Sequence, residues 1–292
     1  VTGVQTCALP ILNIYNNTIG GLTAPAVSDT NAIRGIIVSA TGTTSTYNVS
    51  YNTINLNGTS SGTNFGATGL WHTTSATATT ATLNLRNNII VNNITPKGTG
   101  KAVAYRRSNN TLTNYGSLSN NNLFYAGTPG AKNLIYYAAS GSDSIPTLAA
   151  YKTKMATRDA ASISENPTFV STTGSAATFL HINTSTATAI EGGGVAISGY
   201  NDDIDGDIRQ GSAGYTGAST SGPDIGADEF EGTAPACTGI PTAGTGIVKK
   251  ATVCTANTTA TFTHSGVTTG STITYQWQVS STGTAGTFSN VT

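Results

Sequence analysis

An all-β solenoid is the fold class that this 292-residue sequence predicts, and three observations carry it. The first is a recurring string. LNIYNNTI (12–19), YNVSYNTI (47–54) and LNLRNNII (83–90) share one pattern, and LSNNNLF (118–124) is a weaker copy. Asn13, Asn48 and Asn84 stand 35 and then 36 residues apart, the signature of a structural repeat. The second is another strand signal in each repeat: Gly35-Ile36-Ile37-Val38, Gly69-Leu70-Trp71-His72, Ala102-Val103-Ala104-Tyr105 and Leu134-Ile135-Tyr136-Tyr137. Short alternating segments of this kind bury an apolar face only by stacking on neighbouring copies. The third is composition: 9% charged residues, 37% apolar, 34 glycines and no net charge. That balance sets the chain apart from disordered sequences, which combine low hydrophobicity with high net charge.

In chain order, residues 1–11 (VTGVQTCALPI) are set aside, because one reading frame of a common sequencing adapter encodes this string. Cys7 then carries no biology, and the protein is expected to continue upstream of Leu12. Residues 12–140 hold the coils. Asn suits their corners because its short amide tolerates left-handed backbone and can pair along a stack, which assigns Asn17, Asn52 and Asn88 a structural role. The corner pairs Asn16/Asn17, Tyr51/Asn52 and Asn87/Asn88 should align, with Ile19, Ile54 and Ile90 pointing inward. Leu70 and Val103 are expected at equivalent positions of successive coils.

Charge divides the chain. Seven basic residues and one acid, Asp29, precede residue 141, whereas twelve acids and four basic residues occupy 141–234. The basic residues are sparse and form no cluster interleaved with aromatics, so nucleic acid is not an expected partner. No apolar run reaches the length of a membrane span.

SIPTLAAYKTKM (144–155) reads as a short helix with Ser144 as N-cap and Leu148, Tyr151 and Met155 on one face. SISENPTFV, FLHI and an acidic block, DIDGDIRQGSAGYTGASTSGPDIGADEF, follow. Asn201, Asp203, Asp205 and Gly206 have the spacing of the first half of a calcium loop, with Asp207 next, but Ser212 stands where the closing Glu belongs. Asp224, Asp228 and Glu229 are candidates to complete an oxygen cage. The competing expectation, weighed above calcium, is structural: Arg209 pairs with Asp224 or Glu229 and holds the terminal segment against the last coil.

The coils and this closing order together resemble right-handed parallel β-helix repeats of secreted bacterial proteins, especially from Bacteroidetes, over residues 12–232. The resemblance implies an extracellular or cell-surface location and a helix and final strands that close the last coil. It specifies fold more than activity, because the same architecture hosts lyases, hydrolases and non-catalytic adhesins. TAPACTG (233–238 and following) marks a linker. Residues 239–292, with Cys254 on one strand and Trp277 on another, are similar to the first half of an Ig-like β-sandwich whose cysteine partners lie beyond the chain. The sequence is therefore expected to be a fragment at both ends.

Catalytic motifs are sparse. His72, His181 and His264 are far apart, and no nucleophile elbow or phosphate loop is present. Trp71 and His72, with Tyr105, Arg106 and Arg107 one coil later, are the glycan-binding candidates, since aromatic rings stack on sugars and basic tips meet carboxylates. His72, Tyr105 and Arg106 are also the candidate catalytic set for a metal-free polysaccharide lyase; a polysaccharide lyase or glycoside hydrolase of the pectate-lyase-like fold is the alternative to a non-catalytic adhesive or glycan-binding protein. The bland reading of Trp71 and Tyr105 is core filling with solvated arginine tips. No organic cofactor is implied, and calcium at Asp203, Asp205, Asp207 and Asp224 is the one ion considered. Expected partners are extracellular polysaccharide or other surface proteins.

Overall fold

The computed structural model describes residues 11–39, 45–73, 81–140, 143–218 and 222–235, together with four short strands beyond them. The chain divides into two compact units, Val1–Ala234 and Pro235–Thr292.

The first unit is a parallel β-solenoid of about three turns. Its first coil holds β1 (Ile11–Tyr15), β2 (Thr18–Gly20) and β3 (Asp29–Ser39). The second holds β4 (Thr46–Ser50), β5 (Thr53–Leu56) and β6 (Phe65–Thr73), and the third β7 (Thr82–Arg86), β8 (Ile89–Asn92) and β9 (Ala102–Asn109). A partial fourth coil supplies β10 (Leu123–Tyr125) and β11 (Asn133–Ser140), followed by β12 (Asp143–Ile145) and helix α1 (Leu148–Met155). Equivalent strands stack into three parallel sheets, β1-β4-β7, β2-β5-β8-β10 and β3-β6-β9-β11, with β12 antiparallel on the edge of the third. Ile11, set aside with the leading segment on sequence grounds, pairs in register with Thr46, so β1 starts one residue earlier than expected.

The corner between the first and second sheets is where the asparagines act. Asn16, Tyr51, Asn87 and Asn121 adopt φ of 51°, 54°, 55° and 56°, the left-handed region that Asn enters more readily than other non-glycine residues. The next residue in each coil turns its amide into the stack. Asn17 Nδ2 donates to Asn52 Oδ1 (2.8 Å), Asn52 Nδ2 to Asn88 Oδ1 (2.9 Å) and Asn88 Nδ2 to Asn122 Oδ1 (3.0 Å). Asn122 Nδ2 donates to Asp159 Oδ1 at 3.0 Å. The ladder thus runs in one direction and ends on a carboxylate, which accepts and has no amide hydrogen to pass on. Asp159 also accepts from the hydroxyls of Tyr115, Tyr151 and Ser162 at 2.6, 2.7 and 2.7 Å, so its buried charge is surrounded by donors.

Inside the coils, Ile19, Ile54, Ile90 and Phe124 occupy one register column. Ile54, Ile90 and Phe124 are fully buried, and Ile19 packs against the same core at its less covered end. The glycines of the third sheet make room for that column. A Cβ on Gly69 would lie 2.3 Å from Ile90 Cγ2, and one on Gly35 would lie 2.7 Å from Ile54 Cγ2. This close approach explains why the second strand signal opens with glycine in the first two coils.

Register in the third sheet differs from the expectation. Leu70 pairs with Tyr105, and Val103 pairs with Thr68. A two-residue slip keeps every side chain on its own face, so apolar alternation does not report it. The helix also starts later than expected. Ser144 pairs with Tyr137 in β12, and Thr147 is the N-cap, accepting from the Ala150 amide at 3.3 Å. Tyr151 and Met155 are buried as the helical spacing requires, and Leu148 packs partly against the core.

The closing segment takes a path different from the expected cap on the last coil. From residue 190 it runs along the asparagine corner and touches every coil. Asn16 Nδ2 donates to Asp202 O (2.9 Å), Tyr51 Oη to Val195 O (2.9 Å), Asn87 Nδ2 to Val195 O (2.7 Å) and Asn121 Nδ2 to Gly193 O (2.9 Å). Corner residues in left-handed conformation point their side chains outward and leave polar groups to be met; the closing segment meets them. It also covers the second sheet from outside, where Ile182, Ile190 and Ile225 pack on Ile89, Val91 and Leu123. The consecutive run Ile89-Ile90-Val91 is therefore buried on both faces.

In the second unit, β13 (Thr245–Val248) pairs antiparallel with β14 (Phe262–Ser265), and β15 (Gln278–Ser280) with β16 (Phe288–Asn290). Cys237, Cys254 and Trp277, on which the Ig-like expectation rests, lie outside the described residues, as does Cys7.

Candidate functional site

Trp71 and His72 are neighbours on one strand, so their side chains leave opposite faces. The same holds for Arg106 and Arg107. In register, Trp71 pairs with Arg106, and His72 with Arg107. The five residues singled out from the sequence therefore separate into an inner and an outer group.

The inner group is sealed. His72, Tyr105 and Arg107 are fully buried. Arg107 Nη1 lies 2.7 Å from His72 Nδ1 and donates to Tyr105 Oη at 3.0 Å, while Nη2 donates to Thr111 O at 2.7 Å and bonds Asn114 Oδ1. Burial, reinforced by the Arg107 charge, lowers the His72 pKa to about 3, so the ring is neutral and accepts from Arg107. Burial likewise pushes the Tyr105 hydroxyl above its usual range. These groups do not reach solvent, and a polymer outside the coil cannot touch His72 or Tyr105.

The outer group forms a column on the third sheet. Ile37, Trp71, Arg106 and Tyr137 pair in successive strands. The Arg106 guanidinium carbon lies 4.6 Å from the Trp71 ring centroid and 5.0 Å from that of Tyr137. Arg34 approaches Trp71 at 5.0 Å and Lys101 approaches Tyr137 at 5.6 Å. Among the described residues, no carboxylate lies within ion-pair distance of Arg34, Lys101 or Arg106. Arg106 Nε and Trp71 Nε1, both buried, have no hydrogen-bond partner there either. Burial lowers the Arg106 pKa, a cost that an external anion would offset. Sequence reasoning missed Arg34, Lys101 and Tyr137. Tyr137 was visible in the fourth strand signal, but aligning that signal with the third sets Tyr137 opposite Tyr105, one residue short of its place beside Arg106.

The acidic candidates are placed in the closing segment and serve different ends. Asp203 Oδ1 accepts from the amides of Asp205 and Asp207 (both 2.8 Å), and Oδ2 from the Glu229 amide (2.9 Å). Asp224 accepts from the amides of Gly192 (2.7 Å) and Phe230 (2.8 Å). Burial, then the Glu229 charge, outweighs those two donors and raises Asp224 to about 9. Both carboxylates are committed to the backbone, and Asp203, Asp205, Asp207 and Asp224 do not converge as one metal-ligating group among the described residues. Arg209 pairs with Glu229 (3.3 Å) rather than Asp224, and also donates to the carbonyls of Asp202, Gly226 and Ala227. The group that does converge, His181 with Asp205 and Asp228, joins residues up to 47 positions apart and had no sequence signal beyond acidic content.

The fold and this geometry define a class, a parallel β-solenoid with a cationic and aromatic column on one outer face whose cations meet no carboxylate among the described residues. Comparison with protein-family models, with curated proteins and with solved structures finds no match. No helix among the described residues is long and apolar enough to cross a membrane.

Proposed function

We propose that the chain is a non-catalytic extracellular or cell-surface β-solenoid that binds an acidic polysaccharide along the outer face of its third sheet. One observation carries this reading: Arg106, held between Trp71 and Tyr137, has no carboxylate partner among the described residues. A guanidinium offers a planar fork to a carboxylate, and the flanking rings offer faces to the sugar. Strand spacing of about 4.8 Å along the solenoid is close to the length of a sugar residue, and Arg34 and Arg106 stand two strands apart in the third sheet, so one chain can meet both. Low charge elsewhere and the polar Thr, Ser and Asn surface support an extracellular setting.

Affinity electrophoresis of the full chain in gels containing polygalacturonate, alginate or dextran tests this. Retardation is expected with the two acidic polymers and not with dextran, and Arg106→Ala or Trp71→Ala should relieve most of it. Equal retardation by dextran, or none by either acidic polymer, would sink the reading. Release of unsaturated products absorbing in the ultraviolet would transfer the protein to the lyases.

A further inference from the structure

His181, in the loop that enters the closing segment, meets two carboxylates of that segment, Asp205 and Asp228, away from the outer column. His181 Nε2 lies 3.2 Å from Asp205 Oδ2, and Nδ1 lies 3.7 Å from Asp228 Oδ1. One ligand atom from each residue falls within 4.8 Å of the others. We propose that His181, Asp205 and Asp228 form a binding site for a divalent transition-metal ion of the zinc or manganese type.

Each ligand is held by its own backbone anchor. The carbonyl of His181 accepts from the Val170 amide at 2.8 Å, and its amide donates to Thr178 O at 3.2 Å. The Asp205 amide donates to Asp203 Oδ1, fixing the turn that presents its carboxylate. Asp228 is nearly buried; its Oδ2 is occupied by the Ile182 amide at 2.9 Å, which leaves Oδ1 facing His181. This is the outer-sphere support that metal-ligating carboxylates commonly have. Neither nitrogen of His181 has a hydrogen-bond partner outside the cluster among the described residues.

Ligands of a tetrahedral zinc ion stand about 3.4 Å apart, given bond lengths near 2.1 Å, so the two carboxylates, which face different nitrogens of His181, rotate toward one of them to complete the site. A cleft of about 690 Å³ opens beside His181 and Asp228, giving room for the water molecules that fill remaining positions. Asp207, Glu229 and Glu231 also line it, which favours a cation. An imidazole with two carboxylates selects a borderline ion, whereas calcium takes six to eight oxygens. The site therefore differs in ligand set from the calcium loop that the DIDGD spacing suggested.

Isothermal titration of the full chain, stripped of metal and with its cysteines alkylated, against zinc alone tests the proposal. One ion per chain is expected, with affinity falling at least tenfold in His181→Ala and in Asp205→Asn. Asp205 is half exposed, so its variant keeps the fold, and far-ultraviolet circular dichroism checks this for both. Zinc should raise the thermal midpoint of the natural chain and leave that of His181→Ala unchanged. No zinc binding would reduce the cluster to contacts between an imidazole and two carboxyl groups, and undiminished binding by both folded variants would place the ion elsewhere. Calcium binding as tight as zinc would also overturn the proposal.

Discussion

The guanidinium carbon of Arg209 sits 4.0 Å above the ring of Tyr51, although 158 residues separate them in the chain. Tyr51 occupies a left-handed corner where the neighbouring coils have asparagine, so its conformation alone argues for Asn. The ring is kept by what it supports. Arg209 spans from Asn16 Oδ1 (3.0 Å) to Glu229 Oε2 (3.3 Å) across the Tyr51 face, joining the first coil to the closing segment.

Arg209→Met should therefore destabilise the solenoid unit by about 3–5 kcal/mol, because Glu229 and several carbonyls lose a buried partner. Arg209→Lys should recover only a fraction, since an ammonium cannot reproduce the planar fork. Chemical denaturation followed by tyrosine fluorescence measures both. A loss under about 1 kcal/mol for Arg209→Met would show that the segment holds without this bridge.

The directional ladder gives a second prediction. Asn88→Ala removes the acceptor of the Asn52 side-chain amide and the donor to Val49 O, Arg86 O and Asn122 Oδ1, all in the interior. With several buried groups left unmet, the expected cost is on the order of 3 kcal/mol. At the ladder's end, Asp159→Asn should cost clearly less than Asp159→Ala. An amide there still accepts from Asn122, and the hydroxyls of Tyr115 and Tyr151 can rotate to accept from its nitrogen. Equal thermal midpoints for these two variants would count against Asp159 as the terminus.

The coil period and the inward Ile column were legible because stacking demands the same apolar residue at the same step, as with Ile54 and Ile90. Asn16 to Asn17 and Asn87 to Asn88 were legible because the corner needs left-handed backbone and a ladder amide side by side. The separation of Trp71 from His72 was also available, since adjacent strand residues cannot face one site, but grouping by sequence proximity hid it. The path of the closing segment was not legible. Between Ile163 and Phe230 the described residues form only isolated bridges and turns, so no periodicity marks which of them face the coils. The contact of Val195 with Tyr51 and Asn87 follows from polar groups meeting in space, which no local pattern encodes.

The last prediction concerns pH. His72 has its folded pKa lowered to about 3 from 6.5, so the unfolded chain binds the proton first as pH falls. Its contribution to stability is present above pH 6.5 and is lost as pH drops toward 3. Asp224 has the opposite sign. Its folded pKa is raised to about 9 from 3.8, so the native state keeps a proton that the unfolded chain releases. That contribution is present below pH 3.8 and is lost as pH rises toward 9. Glu229 and Glu191 face Asp224 and add to its rise, while Arg209 pairs with Glu229. The two groups oppose each other between 3.8 and 6.5, and above 6.5 Asp224 acts without His72. Stability should thus fall from pH 6.5 to 9, with a limiting slope of about 1.4 kcal/mol per pH unit for one such group. Asp224→Asn should flatten that fall even if it lowers stability throughout, because its amide nitrogen opposes a backbone donor. His72→Gln should flatten only the acid side, since its carbonyl can still accept from Arg107. Thermal midpoints by circular dichroism across this range decide the matter: an Asp224→Asn slope equal to that of the natural chain above pH 7 would show that Asp224 is ionised in the folded protein.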